Sequence, residues 1–155
     1  FLPGTQPGDL VDNVASPNTC RACHAGYNPP ETEQNEIWHA WGGSMMSQAA
    51  RDPVFWAALD IANADVENSG SYCIRCHAPQ AWLEGRGAPD GSQIAGDDFE
   101  GVQCEVCHRL VDPVYSVENP DRDLVVLAGI SPSVMVTGTA SIIMDPDDER
   151  RGPFE

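Results

Sequence analysis

The sequence predicts a mainly α-helical fold with much irregular loop, in one domain that covers residues 1–155. Two observations lead to this prediction. The 155 residues include 13 prolines and 14 glycines, more breakers than a small four-helix protein carries. Two stretches nevertheless show helical periodicity, one at 31–51 and one that begins at Asp52-Pro53. A chain of this length suits a single domain.

One pentad, Cys-x-x-Cys-His, occurs three times and contains all six cysteines and three of the four histidines. This spacing is the attachment signature of c-type haem, in which two thiols add to one porphyrin and the histidine binds its iron. We therefore predict three covalently attached haem c groups, around which the chain is wrapped. The attachment residues are Cys20, Cys23 and His24, then Cys73, Cys76 and His77, then Cys104, Cys107 and His108.

Three other interpretations explain the cysteine pattern less well. Three disulfides would not require a histidine after every second cysteine. Zinc sites use two Cys-x-x-Cys knuckles each, so three knuckles leave one unpaired. A thioredoxin-like redox motif would occur once, in a βαβ setting. The haem interpretation accounts for every cysteine.

The pentads divide the chain into three regions. Residues 1–19 are rich in proline and glycine and are predicted to form an extended lead-in. Residues 20–113 form the haem-binding core. Residues 114–155 form a haem-free tail with β-prone runs, and a small hairpin or sheet is expected within 120–145. The charged stretch at 145–153 is not expected to join the core.

Two helices are predicted between the first and second pentads. The first covers 31–51, where Glu31, Glu33 and Glu36 favour the positive end of the helix dipole. Gly42 and Gly43 lie inside this predicted helix and suggest close approach of a flat ring. The second begins with Asp52 as N-cap and Pro53 at its first position, and ends near Asn68 with Gly70 as its stop. The second pentad is expected to start a short helix that continues through Trp82 and Leu83.

The supply of axial ligands is incomplete. Three haem irons have six axial positions, and the pentads fill one position on each iron with His24, His77 and His108. His39 is the remaining histidine and the first candidate for a distal position. Met46, seven residues later on the same predicted helical face, is the second candidate, and Met45 is its alternative. The two would lie about 10 Å apart along the helix and face neighbouring haems.

The chain is strongly acidic. The formal net charge is −16, lysine is absent, and all eight basic residues are arginines. An acidic surface argues against nucleic acid and anionic membranes as partners and favours cationic partners. Arg21, Arg75 and Arg109, inside or beside the pentads, are candidates to pair with haem propionates.

The cellular location follows from the haem chemistry. No apolar run has the length of a transmembrane segment. Phe1 is not a start methionine and no signal peptide is present, so we expect a processed or trimmed N-terminus. Because haem c is attached on the outer side of an energy-transducing membrane, we expect an exported protein of the periplasm or extracellular space.

The segment from Trp41 to Phe55 resembles a distal-ligand segment of multihaem c-type cytochromes, which reads W-x-x-S-x-H-x-x-A-x-x-D-P-x-F. Here Met46 stands where many relatives have the histidine. Residues 73–86 and 101–113 resemble the second and third haem segments of the same family. The resemblance covers about residues 20–113.

In similar proteins a stretch like residues 145–153 is followed by more haem motifs. We therefore expect this chain to be a portion of a longer cytochrome or a shortened relative. The resemblance implies electron transfer, and some multihaem cytochromes polymerise into conductive filaments.

The leading functional hypothesis is electron transfer to and from redox partner proteins through three closely packed haems, with no catalytic residue. The alternative is a multihaem oxidoreductase, in which one five-coordinate haem acts on a small inorganic substrate. A third hypothesis is a haem-bearing protomer of a larger assembly or filament. There, other cytochrome chains or copies of this one would supply an axial ligand in trans.

Overall fold

A computed structural model describes residues 3–130 and 142–152 of the chain. This part of the chain contains eight short α-helices and two 3₁₀ helices, joined by irregular loops. The 3₁₀ helices are Glu33–Asn35 and Gly96–Glu100. The α-helices are α1 (Pro17–His24), α2 (Ile37–Gly42), α3 (Met45–Gln48), α4 (Pro53–Asp65), α5 (Gly70–His77), α6 (Pro79–Leu83), α7 (Cys104–His108) and α8 (Asp121–Gly129). The predicted fold class is confirmed.

The β-prone tail is helical where the structure describes it. Leu124 to Leu127, predicted as β-prone, lie in α8, so that prediction is wrong. The first turn of α8 contains Asp121 and Asp123, and carboxylates there favour the helix dipole. No sheet occurs within the described residues, where Ile142 and Met144 each form an isolated bridge to a distant residue. The predicted runs around Val134 to Thr137 lie outside the described residues.

The single helix predicted for residues 31–51 is wrong, because this stretch forms a 3₁₀ helix, α2 and α3. The two glycines end α2 instead of lying inside a helix, with Gly43 as the C-cap. Ser44 then caps α3, its hydroxyl accepting a hydrogen bond from the Ser47 N–H. The chain therefore turns between the two candidate distal ligands, which are on different helices.

The N-terminus of α4 is as predicted, with the Asp52 carboxylate accepting a hydrogen bond from the Val54 N–H at 2.8 Å. Its end is not, because α4 stops at Asp65 and Gly70 begins α5. Gly70 is required for space: a Cβ there would lie 2.0 Å from the Pro89 carbonyl oxygen. The close approach packs the loop that contains Pro89 against the start of the second pentad's helix.

The main apolar core lies around α4, α5 and α6. Phe55 and Leu59 face it from α4, and Ile74 of α5 is fully buried. A smaller cluster joins Val111 and Val126 to Ile143. None of the described helices is long and apolar enough to cross a membrane.

Both ends of the described chain are built into the fold, and for the start of the charged C-terminal stretch this is contrary to the expectation that it does not join the core. Thr5 donates its N–H to the Ile142 carbonyl at 2.8 Å, and its hydroxyl accepts the Met144 N–H at 2.8 Å. Ile143, Met144 and Asp145 are almost completely buried. The lead-in and the C-terminal segment 142–152 thus pack against each other.

Two buried arginines beside the pentads hold these terminal segments. Arg75 donates to the Pro3 carbonyl at 2.6 Å, and its guanidinium lies over the Trp82 ring, 4.6 Å from the centroid. Arg109 is completely buried and donates at 2.7–3.0 Å to three carbonyls, those of Asp12, Asp145 and Pro146. A guanidinium is suited to this role because its fork of donors is rigid and always charged.

Replacing Arg109 with Met should lower the free energy of unfolding by about 2–4 kcal/mol, because three carbonyl groups, of which that of Asp145 is buried, lose a charged donor. Urea unfolding of the haem-loaded protein measures the change. Arg21→Met, at an exposed position, is the control and should have a much smaller effect. Equal effects of the two substitutions would contradict this role for Arg109.

Candidate functional site

Each pentad lies at the C-terminal end of a helix and finishes on its histidine, in α1, α5 and α7. Helical residues three and four apart share one side, so the two cysteines and the histidine of each pentad converge. All six cysteines are free thiols. The structure therefore brings together each set of residues that the sequence predicts for one haem. Within residues 3–130 and 142–152, no cluster of three or more His, Cys, Asp or Glu is suited to hold a metal ion.

Three imidazole rings are oriented in the same way. Each forms a hydrogen bond between its Nδ1 atom and a backbone carbonyl, which can only accept, so Nδ1 is protonated and Nε2 is left as the metal-binding nitrogen. These bonds join His39 to Glu33 at 2.6 Å, His77 to Ala49 at 3.0 Å and His108 to Arg151 at 2.7 Å. Two of the three rings belong to pentads, and the third belongs to the predicted distal ligand.

A cavity of about 540 Å³ opens beside the second pentad. Most of its lining is apolar, which suits a flat hydrophobic group attached through the adjacent thiols. Met46 lines this cavity and is half exposed, so its thioether sulfur is not committed to core packing. The lining residues are Met45, Met46, Gln48, Ala49, Arg51, Asp52, Pro53, Cys76, His77 and Val102.

The segment that carries Met46 is hydrogen-bonded to Val102, two residues before the third pentad. The Met46 carbonyl accepts the Val102 N–H at 2.9 Å, and the Val102 carbonyl accepts the Trp41 indole N–H at 2.9 Å. Gly101 permits this approach, because a Cβ there would lie 2.3 Å from the Met46 carbonyl oxygen. The same segment contacts His77 through Ala49, so it links the second and third pentads.

His39 lies in a different place from Met46, beside the first pentad. It lines a cavity of about 440 Å³ together with Arg21, Ala22 and Ala25 of the α1 region. The prediction that His39 and Met46 lie on one helical face is therefore wrong. The break after Gly43 separates the two side chains into two cavities.

The other methionines differ in how much of the side chain is exposed. Met45 lines the same cavity as Met46 but is 88% exposed. Met144 is buried in the main core, where it packs as an ordinary apolar side chain. Met135 lies outside the described residues.

The first and third pentads approach each other. Burial and the neighbouring Cys20 thiol raise the pKa of Cys104 to about 11. Glu105, buried inside the third pentad, accepts the N–H of Ala15 just before α1 and binds Arg150 at 2.9 Å. The attachment cysteines of the first and third pentads are thus neighbours, although 84 residues separate them.

Sequence reasoning missed the role of Glu36, which was assigned to the first turn of a helix. Its carboxylate is fully buried and turns back to accept the N–H groups of Asn28, Gly26 and Tyr27 at 2.6–2.9 Å. Burial alone would raise the pKa of this carboxyl, but these three donors outweigh it and the pKa lies below its ordinary 4.5. The carboxylate also lies 3.5 Å from the His39 Nδ1 atom, so one buried anion holds both the loop and the ligand.

Replacing Glu36 with Gln should lower the melting temperature at neutral pH by several degrees. Because the folded pKa of Glu36 is depressed, its ionised form stabilises the fold above the unfolded value of 4.5. That stabilisation is lost as the pH falls through the folded pKa, so the gap from wild type should close in acid. Thermal unfolding across a pH series measures this, with the exposed Glu31→Gln as control. A gap that does not vary with pH would refute the assignment.

A family model described as cytochrome c554 and c-prime matches residues 19–109 of this chain. The matched region contains all three pentads, His39 and Met46. Neither the search of curated proteins nor that of solved structures gives a match.

Proposed function

Because this chain belongs to the cytochrome c554 and c-prime family, whose members are haem c proteins of electron transfer, we propose that it transfers electrons through three closely packed haems. The neighbouring positions of Cys20 and Cys104 carry this proposal, because they bring two attachment sites together. Electron transfer requires short distances between redox groups, and it does not require a catalytic acid or base.

Each pentad has two tasks in this proposal. The two cysteines of each pentad would hold the haem through thioether bonds, each thiol adding its sulfur and its hydrogen across one vinyl group. The histidine Nε2 atom is the proximal donor, with His77 and His108 held by the carbonyls of Ala49 and Arg151. Haem, when bound, supplies a one-electron redox couple at its iron.

We assign the distal positions from the two cavities. Met46 would be the distal donor for the second haem, since Met46 and His77 line the same cavity. His39 is a distal donor beside α1, its Nε2 atom free because Nδ1 is bonded to the Glu33 carbonyl. The remaining distal position would be filled in trans by another cytochrome chain, as part of a larger assembly or filament.

The proposed location is the periplasm or the outside of the cell. Thioether attachment of haem takes place on the outer side of the energy-transducing membrane, and the pentads supply the six thiols for it. The family match supports the same chemistry.

The intact protein, produced in a host that attaches haem c, should have the mass of the polypeptide plus three haems. Replacing both cysteines of one pentad with Ser should remove one haem mass, for each pentad in turn. Mass spectrometry after extraction with acidified organic solvent, which removes non-covalent haem, makes the measurement. Fewer than three retained haems in the wild type would reject the proposal.

Met46→Leu should convert one low-spin iron of the oxidised protein to the high-spin state, because Leu has no donor atom. His39→Ala should do the same for a different iron. Optical and electron paramagnetic resonance spectra measure the change, and Met45→Leu should leave them as in wild type. Unchanged spectra in the Met46 or His39 variant would refute that assignment. A high-spin iron that persists in the assembled wild-type protein and binds cyanide or nitrite would instead favour the oxidoreductase.

A further inference from the structure

Helix α4 is apolar on two opposite sides. One side, with Phe55 and Leu59, is buried in the main core. The other side consists of Val54, Ala57, Ala58 and Ile61, at positions i, i+3, i+4 and i+7, and we call it the α4 face. Val54 is 71% exposed and Ile61 is 64% exposed. A contiguous apolar patch that is exposed on a folded protein often marks a site of interaction with another molecule.

The α4 face is separate from the haem cavity beside the second pentad. That cavity is lined by residues of the segment 45–53 together with Cys76, His77 and Val102, and not by Val54, Ala57, Ala58 or Ile61. The exposed apolar surface of α4 therefore lies outside the space that we assign to the second haem.

The charged side chains of α4 and of the loop that follows it have one sign. Asp60, Asp65 and Glu67 are all exposed, and no Lys or Arg occurs between Arg51 and Arg75. Asp65 is the last residue of α4, where a carboxylate opposes the helix dipole. These carboxylates therefore do not serve the stability of the helix that carries them. They suit a positively charged surface on another molecule.

A second copy of this chain fits the α4 face poorly. A two-fold interface places the same patch on both sides. The carboxylates of one copy would then oppose those of the other, which is unfavourable. Charge complementarity selects a cationic partner instead.

The α4 face also has a short route to the second pentad. Helix α4 packs on α5, and the Phe55 ring stacks on the His77 ring with centroids 4.2 Å apart. A molecule docked on the α4 face is therefore one helix away from the proximal ligand of the second haem.

We propose that the α4 face is the docking site of a cationic redox protein that exchanges electrons at the second haem. This inference rests on the proposed electron-transfer function. In one direction, the partner's reduced cofactor loses one electron and the ferric iron bound at His77 becomes ferrous; no bond is made or broken. The apolar centre excludes water, and the carboxylates guide the partner's approach.

The test is the rate at which a small, lysine-rich cytochrome c in its ferrous form reduces the oxidised, haem-loaded protein. Stopped-flow absorbance measures this second-order rate over a range of salt concentrations. The triple variant Asp60→Asn, Asp65→Asn, Glu67→Gln should react roughly tenfold more slowly at low salt, with a weaker salt dependence. Ile61→Asn, which leaves the charge unchanged, should also slow the reaction.

A matched control separates a local site from net charge. Glu31→Gln, Glu118→Gln and Glu149→Gln together remove the same number of exposed carboxylates elsewhere on the surface. This control should retain most of the wild-type rate. Equal slowing by the two triple variants would overturn the α4 face as a specific site.

Two further measurements distinguish the other outcomes. Reduction by dithionite should go to completion in all variants; if dithionite does not reduce the haems of the wild type, the proposed function itself fails. Sedimentation velocity should show the same assembly state for wild type and Ile61→Asn. If Ile61→Asn dissociates a dimer, a second copy covers the α4 face and the inference is overturned.

Discussion

The hydrogen bond between a histidine Nδ1 atom and a backbone carbonyl is the interaction on which the site depends. His77 is bonded to Ala49, 28 residues earlier, and His108 to Arg151, 43 residues later. Each bond fixes the tautomer and the direction of the ring, and so the direction in which Nε2 points. A ligand held by a distant carbonyl is only as well placed as the segment that carries the carbonyl. The rest of the fold can be understood as the means of holding those segments still.

Arginine does much of this holding, which gives the absence of lysine a physical meaning. Arg109 binds the Asp145 carbonyl, and Arg151 pairs with the buried carboxylates of Asp123 and Asp145. Arg122 pairs with the same Asp145, whose pKa is lowered to about 2: burial opposes this shift, but the two guanidinium groups outweigh it. This network immobilises the C-terminal segment, and with it the carbonyl that orients His108. A lysine ammonium has no fork of fixed donors with which to bind several acceptors at once.

The sequence predicted what depends on local chemistry and failed where distant contacts decide. The grouping of the two cysteines and the histidine within each pentad was predicted, because it depends on a spacing of a few residues. The start of the helix at Asp52-Pro53 was predicted for the same reason, because an N-cap acts within one turn. The helix at 31–51 failed, because Glu36 is bound by N–H donors on the far side of a loop. Leu124 to Leu127 were ambiguous by periodicity, since a short apolar run fits a strand or a helix equally well. The burial of the C-terminal segment could not be predicted, because a run of carboxylates is typical of a solvent-exposed stretch. Only the fold brings Arg109 and Arg151 beside it.

The same use of arginine shapes the outer surface. The described contacts engage all eight: six in ion pairs, Arg75 with carbonyls, and Arg21 over the Trp38 ring. The positive charges therefore serve contacts within the chain, and most of the arginines lie near the pentads and the C-terminal segment. The stretch from Asp52 to Ile74 has no basic residue and contains four carboxylates. An acidic α4 face is thus the counterpart of arginine-based order elsewhere, which connects the way this chain orients its histidines with the cationic partner that we propose.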